Sequence, residues 1–147
     1  MRAVRLSGPG SVDNLRLPAL PLPPERDGWV RIRVEAFGLN RSELKLRLGL
    51  SVGVSFPRVP GIEAAGTVDA APAGSELAPG QKVVAMMGDM GRTYDGSYAE
   101  YTSVPLSQVI PVDTELPWEV LGGLPRWCRP LTARSPSAWT SSPGSPC

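Results

Sequence analysis

The stretch that most narrows the possible fold is residues 28–40, GWVRIRVEAFGLN. Val30, Ile32 and Val34 occupy alternate positions, and Arg31, Arg33 and Glu35 fill the places between and after them. A period of two over this length puts the apolar side chains on one face and the charges on the other, the pattern of a half-buried strand. The rest of the chain is cut into similarly short pieces by glycine and proline. MRAVRL can start a strand, SGPGSVDN is a turn, and the proline-broken NLRLPALPLP suits an edge strand. GIEAAGTVDAA reads as a strand with a bulge or a close backbone approach at Gly66, KVVAMM as a short buried strand, and SYAEYTSV as another alternating one. Two short helices are expected. One covers Ser42 to Leu48 with Asn40 as its cap and Gly49 as its stop, and the other opens at LPWEVLGGL with Pro117 in its first turn. These elements predict a mainly β domain, a partly open barrel with one or two short helices. No strand–GxGxxG–helix unit is present, so no Rossmann domain is expected in these residues.

Length, charge and cysteine usage set further bounds. A chain of 147 residues has room for one domain with a modest core. Its net charge is +1 and its charges are interspersed, which offers no field for a nucleic acid or an anionic membrane. No apolar run approaches the roughly 20 residues of a spanning helix, and MRAVRLSGPG lacks the apolar segment of a signal peptide. The cytoplasm is the expected compartment. There is no histidine, and the two cysteines, Cys128 and Cys147, lie in the tail. A disulfide framework, a Cys/His zinc site and a His-dependent triad are therefore not expected.

Three stretches, GLNRSEL, PGIEAAGTV and PGQKVVAM with the later DGSYAEY, occur in an order and spacing that are more specific than any one of them. Together they resemble the N-terminal, GroES-like domain of the medium-chain dehydrogenase/reductase superfamily, which is alcohol dehydrogenase-like. Within it they look like the zinc-independent quinone oxidoreductase branch. The resemblance covers residues 1–125. In zinc alcohol dehydrogenases the segment like GLNRSE carries a Cys ligand where Asn40 stands, and the segment like PGIEAAG carries a His ligand where Ile62 stands. Neither residue here is a zinc ligand, so no metal is expected.

The resemblance implies hydride transfer from NADPH to a quinone or enone, with the cofactor held mainly by a following Rossmann domain. It places Asn40 near the nicotinamide and ribose as the cofactor-binding residue. Asn40 also reads as a simple helix cap, and the two roles are compatible. Ser42, Glu63 and Tyr94 are candidates for catalytic or substrate contact. Each has a plainer reading: an exposed turn for Ser42, a hydrogen-bonded structural carboxylate for Glu63, barrel packing for Tyr94 as for Tyr98 and Tyr101. Arg41 reads as an exposed turn residue. Many relatives carry a Tyr in the helix after the Asn, whereas this chain has Leu44, Lys45, Leu46 and Arg47 there. Gly61 and Gly66 read as backbone requirements.

From Arg126 the pattern changes: RWCRPLTARSPSAWTSSPGSPC has no Asp or Glu and is rich in Pro and Ser. The plain readings are a disordered tail or a short linker. A sharper one is out-of-frame translation. Restoring one base after the Pro125 codon, with G+C-rich codons, yields helical apolar spacing and then Leu-x-Pro-Gly, as this superfamily enters its Rossmann domain. The expected organisation is thus a GroES-like substrate-side domain at 1–125 and a disordered, out-of-frame tail at 126–147, a truncated product inactive as a fragment. The alternative is a non-catalytic product or a stand-alone β-barrel binding module. A homo-oligomer formed through exposed apolar surface is also expected.

Overall fold

The structure is a computed structural model, and it describes residues 1–125. The tail from Arg126, with its predicted frameshift, lies outside the described residues. The strand announced by alternation is β3, Trp29–Ala36. It lies inside a five-stranded antiparallel sheet with β4 (Glu63–Ala70), β5 (Lys82–Met86), β6 (Tyr101–Pro105) and β7 (Val109–Pro111), in the order β6-β3-β4-β5-β7. A small antiparallel pair, β1 (Arg5–Leu6) and β2 (Leu15–Arg16), is joined by a 3-10 turn at Val12–Asn14. Isolated bridges Leu6↔Arg58 and Ala3↔Ala99 fasten this pair to the main body. The result is the curled, mainly β half-barrel that the short alternating segments predict.

The alternation of β3 resolves as expected. Val30 and Ile32 are fully buried in a cluster with Ala64, Val68, Val83, Ala85, Met90 and Val104, and Val34 packs against it. Arg31, on the opposite side, meets Asp69 at 2.5 Å. β4 does not alternate because both its faces are covered. Ala64 enters the first cluster, and Ala65 enters a second with Val84, Val112 and Leu121. Gly66 is the close approach read from the sequence. A Cβ there would fall on the Arg33 carbonyl oxygen, and the β3–β4 register slips beside it, between Val34↔Gly66 and Ala36↔Ala65.

The two helices are α1, Arg41–Arg47, and α2, Trp118–Leu121. Asn40 is the N-cap of α1 as predicted, whereas Pro117 caps α2 rather than sitting in its first turn. Leu121 locks α2 onto the second cluster. β7 escapes the sequence reading because it is three residues long and ends at Pro111.

Candidate functional site

β3 runs out at Ala36, and the chain turns through Phe37, Gly38 and Leu39 to reach Asn40 at the start of α1. β4 begins beside it with Glu63, so two loops and one helix terminus converge at this end of the sheet. Glu43 ties them together. Its Oε2 accepts from the Asn40 backbone N–H at 3.0 Å and from Ser42 Oγ at 3.1 Å, and its Oε1 accepts from the Ile62 backbone N–H at 3.2 Å. Asn40 and Glu43 thereby form a capping box, satisfying N–H groups that a helix start leaves without partners.

The second carboxylate is deeper. Glu63 is only 1% exposed, and its Oε1 accepts from Asn40 Nδ2 at 2.6 Å. Gly38 makes room for it, since a Cβ at that position would fall on Glu63 Oε1. Burial pushes the Glu43 carboxyl above the ordinary carboxylate range, against the pull of its hydrogen bonds. Tyr98 stacks on Phe37 with ring centroids 4.5 Å apart. Burial, with the charges of Glu43 and Glu63 adding to it, holds the Tyr98 phenol well above its usual value, so it is a neutral group at any physiological pH.

The structure therefore brings Asn40, Ser42 and Glu63 together and adds Glu43, which the sequence reading did not single out. The signal was available: an Asn three residues before a Glu at a helix start is a capping-box spacing. Ser42 is half-buried and borders a cavity of about 20 Å³ shared with Glu43, Ile62, Gly91 and Arg92, room for about one water. Tyr94 is elsewhere. Its ring meets Trp29, the first residue of β3, edge-on at 4.9 Å, so it sits at the opposite end of that strand from Asn40. Its hydroxyl lies 2.6 Å from Gln108 Oε1, and burial pushes its pKa up to about 12. It borders a separate cavity of about 490 Å³, with Trp29, Arg58 and Thr102.

The site's rim is apolar. Leu39 is 81% exposed and Leu44 46% exposed, on either side of the Asn40 cap. Chemically, the cluster offers an uncharged amide backed by buried carboxylates and bordered by exposed leucines.

Residues 26–114 match the model of the alcohol dehydrogenase GroES-like domain, well over half of the chain. The chain belongs to that family. This GroES-like domain is 44% identical over 71 residues to the "Synaptic vesicle membrane protein VAT-1 homolog-like" of Mus musculus, a match covering 48% of the chain and 17% of the relative. It is 36% identical over 108 residues to the chloroplastic quinone-oxidoreductase QR1 of Triphysaria versicolor, covering 69% of the chain and 31% of the relative. Among solved structures, an NAD-dependent alcohol dehydrogenase superposes with a TM-score of 0.73 at 28% identity, over 80% of this chain and 41% of the other. The GroES-like domain thus spans less than half the length of these relatives. They place it among the N-terminal domains of medium-chain dehydrogenase/reductase oxidoreductases.

Proposed function

We propose that this GroES-like domain supplies the substrate-side wall of a zinc-independent, NADPH-dependent oxidoreductase that transfers hydride to a quinone or enone in the cytoplasm. The observation that carries the reading is the Asn40–Glu63 hydrogen bond of 2.6 Å at the end of β3. A zinc-bearing member would hold its metal at this position. Here the donor set does not fit zinc: Asn40 offers an amide that already serves Glu63, and Ile62 is apolar. Among the described residues no three His, Cys, Asp or Glu side chains converge to hold an ion.

The same donor set fits a nicotinamide cofactor. Asn40 is half-buried and uncharged, and an amide can hold a carboxamide or hydroxyl without an ionic cost. When bound, NADPH supplies the hydride. The chain's own part is to orient with Asn40 and to exclude water with the leucine rim. Ser42 sits beside Asn40 with its hydroxyl donating to Glu43, whereas Tyr94 has no part in this reading. The domain taken to form this wall is residues 1–125. Among the described residues no helix is long and apolar enough to cross a membrane.

One wall cannot fix a hydride donor, so the purified chain is expected to oxidise NADPH with a quinone negligibly. A nicotinamide-binding Rossmann domain fused after Pro125 is expected to restore turnover without added zinc, and Asn40→Leu to depress it. A folded, NADPH-binding fusion that turns over only with zinc, or with no quinone or enone tried, would overturn the proposal.

A further inference from the structure

We infer that Asn40 meets its ligand as a hydrogen-bond donor only, and that buried Glu63 is the positioning residue that makes it so. The inference rests on the reading of Asn40 as the contact residue and goes beyond it by fixing the chemistry of the group it contacts.

A primary amide carries two N–H donors and one carbonyl oxygen, and rotating it by half a turn exchanges them. Rotation is blocked at Asn40. One Nδ2–H donates to Glu63 Oε1 at 2.6 Å. The flipped amide would set its own oxygen against that carboxylate oxygen, two acceptors with no proton between them, in a place only 1% exposed. The Asn40 oxygen belongs to the other side, facing the helix start in the capping box, where the Glu43 N–H donates to the Asn40 backbone carbonyl at 3.2 Å. Glu63 cannot swing away easily, because it starts β4 in register with Met86 and fills the space that Gly38 leaves.

One group remains. Among the described residues, the second Nδ2–H of Asn40 has no protein acceptor, and the residue is half-buried between two exposed neighbours, Leu39 and Arg41. A ligand that uses Asn40 must therefore offer an acceptor oxygen: a ketone or quinone carbonyl, or the carbonyl of a carboxamide. A ligand presenting only donors finds nothing here. The hydrogen bond to Glu63 polarises the amide and holds its outward N–H in a single direction.

The test is the side-chain amide spectrum of the full 147-residue chain labelled with ¹⁵N, with the Asn40 pair assigned by its loss in Asn40→Ser. In the wild type one proton of the pair is expected downfield and protected from exchange, and the other at an ordinary position. Glu63→Gln should keep this pattern, since its carbonyl still accepts. Glu63→Met should collapse it, while the backbone amides of β3 and β5 stay in place. Two ordinary protons in the folded wild type, or an unchanged pair in a folded Glu63→Met, would overturn the positioning role. If Glu63→Met does not fold, the wild-type pair and Gly38→Ala, which displaces Glu63 without removing its carboxyl group, decide the matter in its place. The second arm titrates the chain with nicotinamide and with cyclohex-2-enone, both carbonyl acceptors. The outward proton should move downfield in wild type and Glu63→Gln and stay still in Glu63→Met. An intact inward bond with an outward proton that neither probe moves would leave the orientation standing and sink the contact reading beneath it.

Discussion

Replacing Glu43 should loosen the site more than any surface change, in an order and with a pH dependence that follow from its partners. The carboxylate accepts three hydrogen bonds, from Asn40 N, Ser42 Oγ and Ile62 N, at 3.0, 3.1 and 3.2 Å. A hydrogen bond to a charged group contributes about 1.5–3 kcal/mol, and these are not additive when they share one acceptor. Glu43→Ala strands the buried Ile62 N–H and empties the cap, so a loss of about 3–5 kcal/mol is expected. For a domain of this size that is a fall in Tm of roughly 10–20 °C. Glu43→Gln keeps one acceptor oxygen, which can serve Ile62 or the Asn40–Ser42 pair but not both, and should cost about half as much. The pH dependence runs the other way from a surface ion pair. Burial raises the Glu43 pKa, so the folded state binds its proton more tightly than the unfolded chain does. Wild-type stability from this group is therefore lowest above the raised folded value and rises as pH falls through it towards the ordinary glutamate range. Glutamine does not titrate, and the other ionising groups are common to both proteins. The stability gap between wild type and Glu43→Gln should widen on acidification across that window. Thermal melts by circular dichroism at several pH values measure this. A gap that narrows on acidification, or an Ala variant no worse than Gln, would refute the reasoning.

Gly66→Ala is expected to be among the most damaging single methyl additions in the domain. Its Cβ would fall on the Arg33 carbonyl of the neighbouring strand, and backbone cannot step aside as a side chain can. A loss of several kcal/mol, or failure to accumulate folded protein, is expected, and a wild-type melt would show the close approach to be unimportant. The exposed Leu44 on α1 and Leu48 at its C-cap, with Leu39, Leu50 and Val52 nearby in sequence, should drive concentration-dependent self-association visible by sedimentation. Leu44→Glu with Leu48→Lys should reduce it, and a wild type that stays monomeric at high concentration would remove the basis for an oligomer through this surface.

Much of the sheet could be read from the sequence because its strands obey short-range rules. β3 alternates since one face meets the core and the other meets Asp69 and solvent. Gly66 stood out because glycine inside a strand needs a reason, and the reason proved to be Arg33. β4 and β7 were harder. The first is buried on both faces and so loses its alternation, and the second is three residues that lean on Val83, Val84 and Ala85 for their pairing. The site was legible in its membership and not in its wiring. Asn40 and Glu63 are 23 positions apart, and no local pattern announces that one amide will donate to the other's carboxylate. Glu43 was the reverse case, a local signal overshadowed by the residues around it.

The wiring also bears on how such a domain can dispense with a metal, as the proposed function requires. The resemblance implies that zinc-bearing members carry their ligands at the positions of Asn40 and Ile62, where one ion would tie the start of the helix to the start of the following strand. In this chain the Glu43 carboxylate reaches those same two positions, accepting from the backbone N–H of Asn40 with one oxygen and of Ile62 with the other. Glu63 adds a third link, through the Asn40 side chain. Each link uses a donor that is fixed by the backbone or by the cap, so the segments are held without any soft ligand at position 40 or 62. Restoring the ligands alone would not restore a metal site. Asn40→Cys would leave the buried Glu63 without its amide donor, and Ile62→His would set a polar ring where a side chain now only 6% exposed is apolar. In the zinc-independent reading proposed above, these carboxylate hydrogen bonds are what join the two segments.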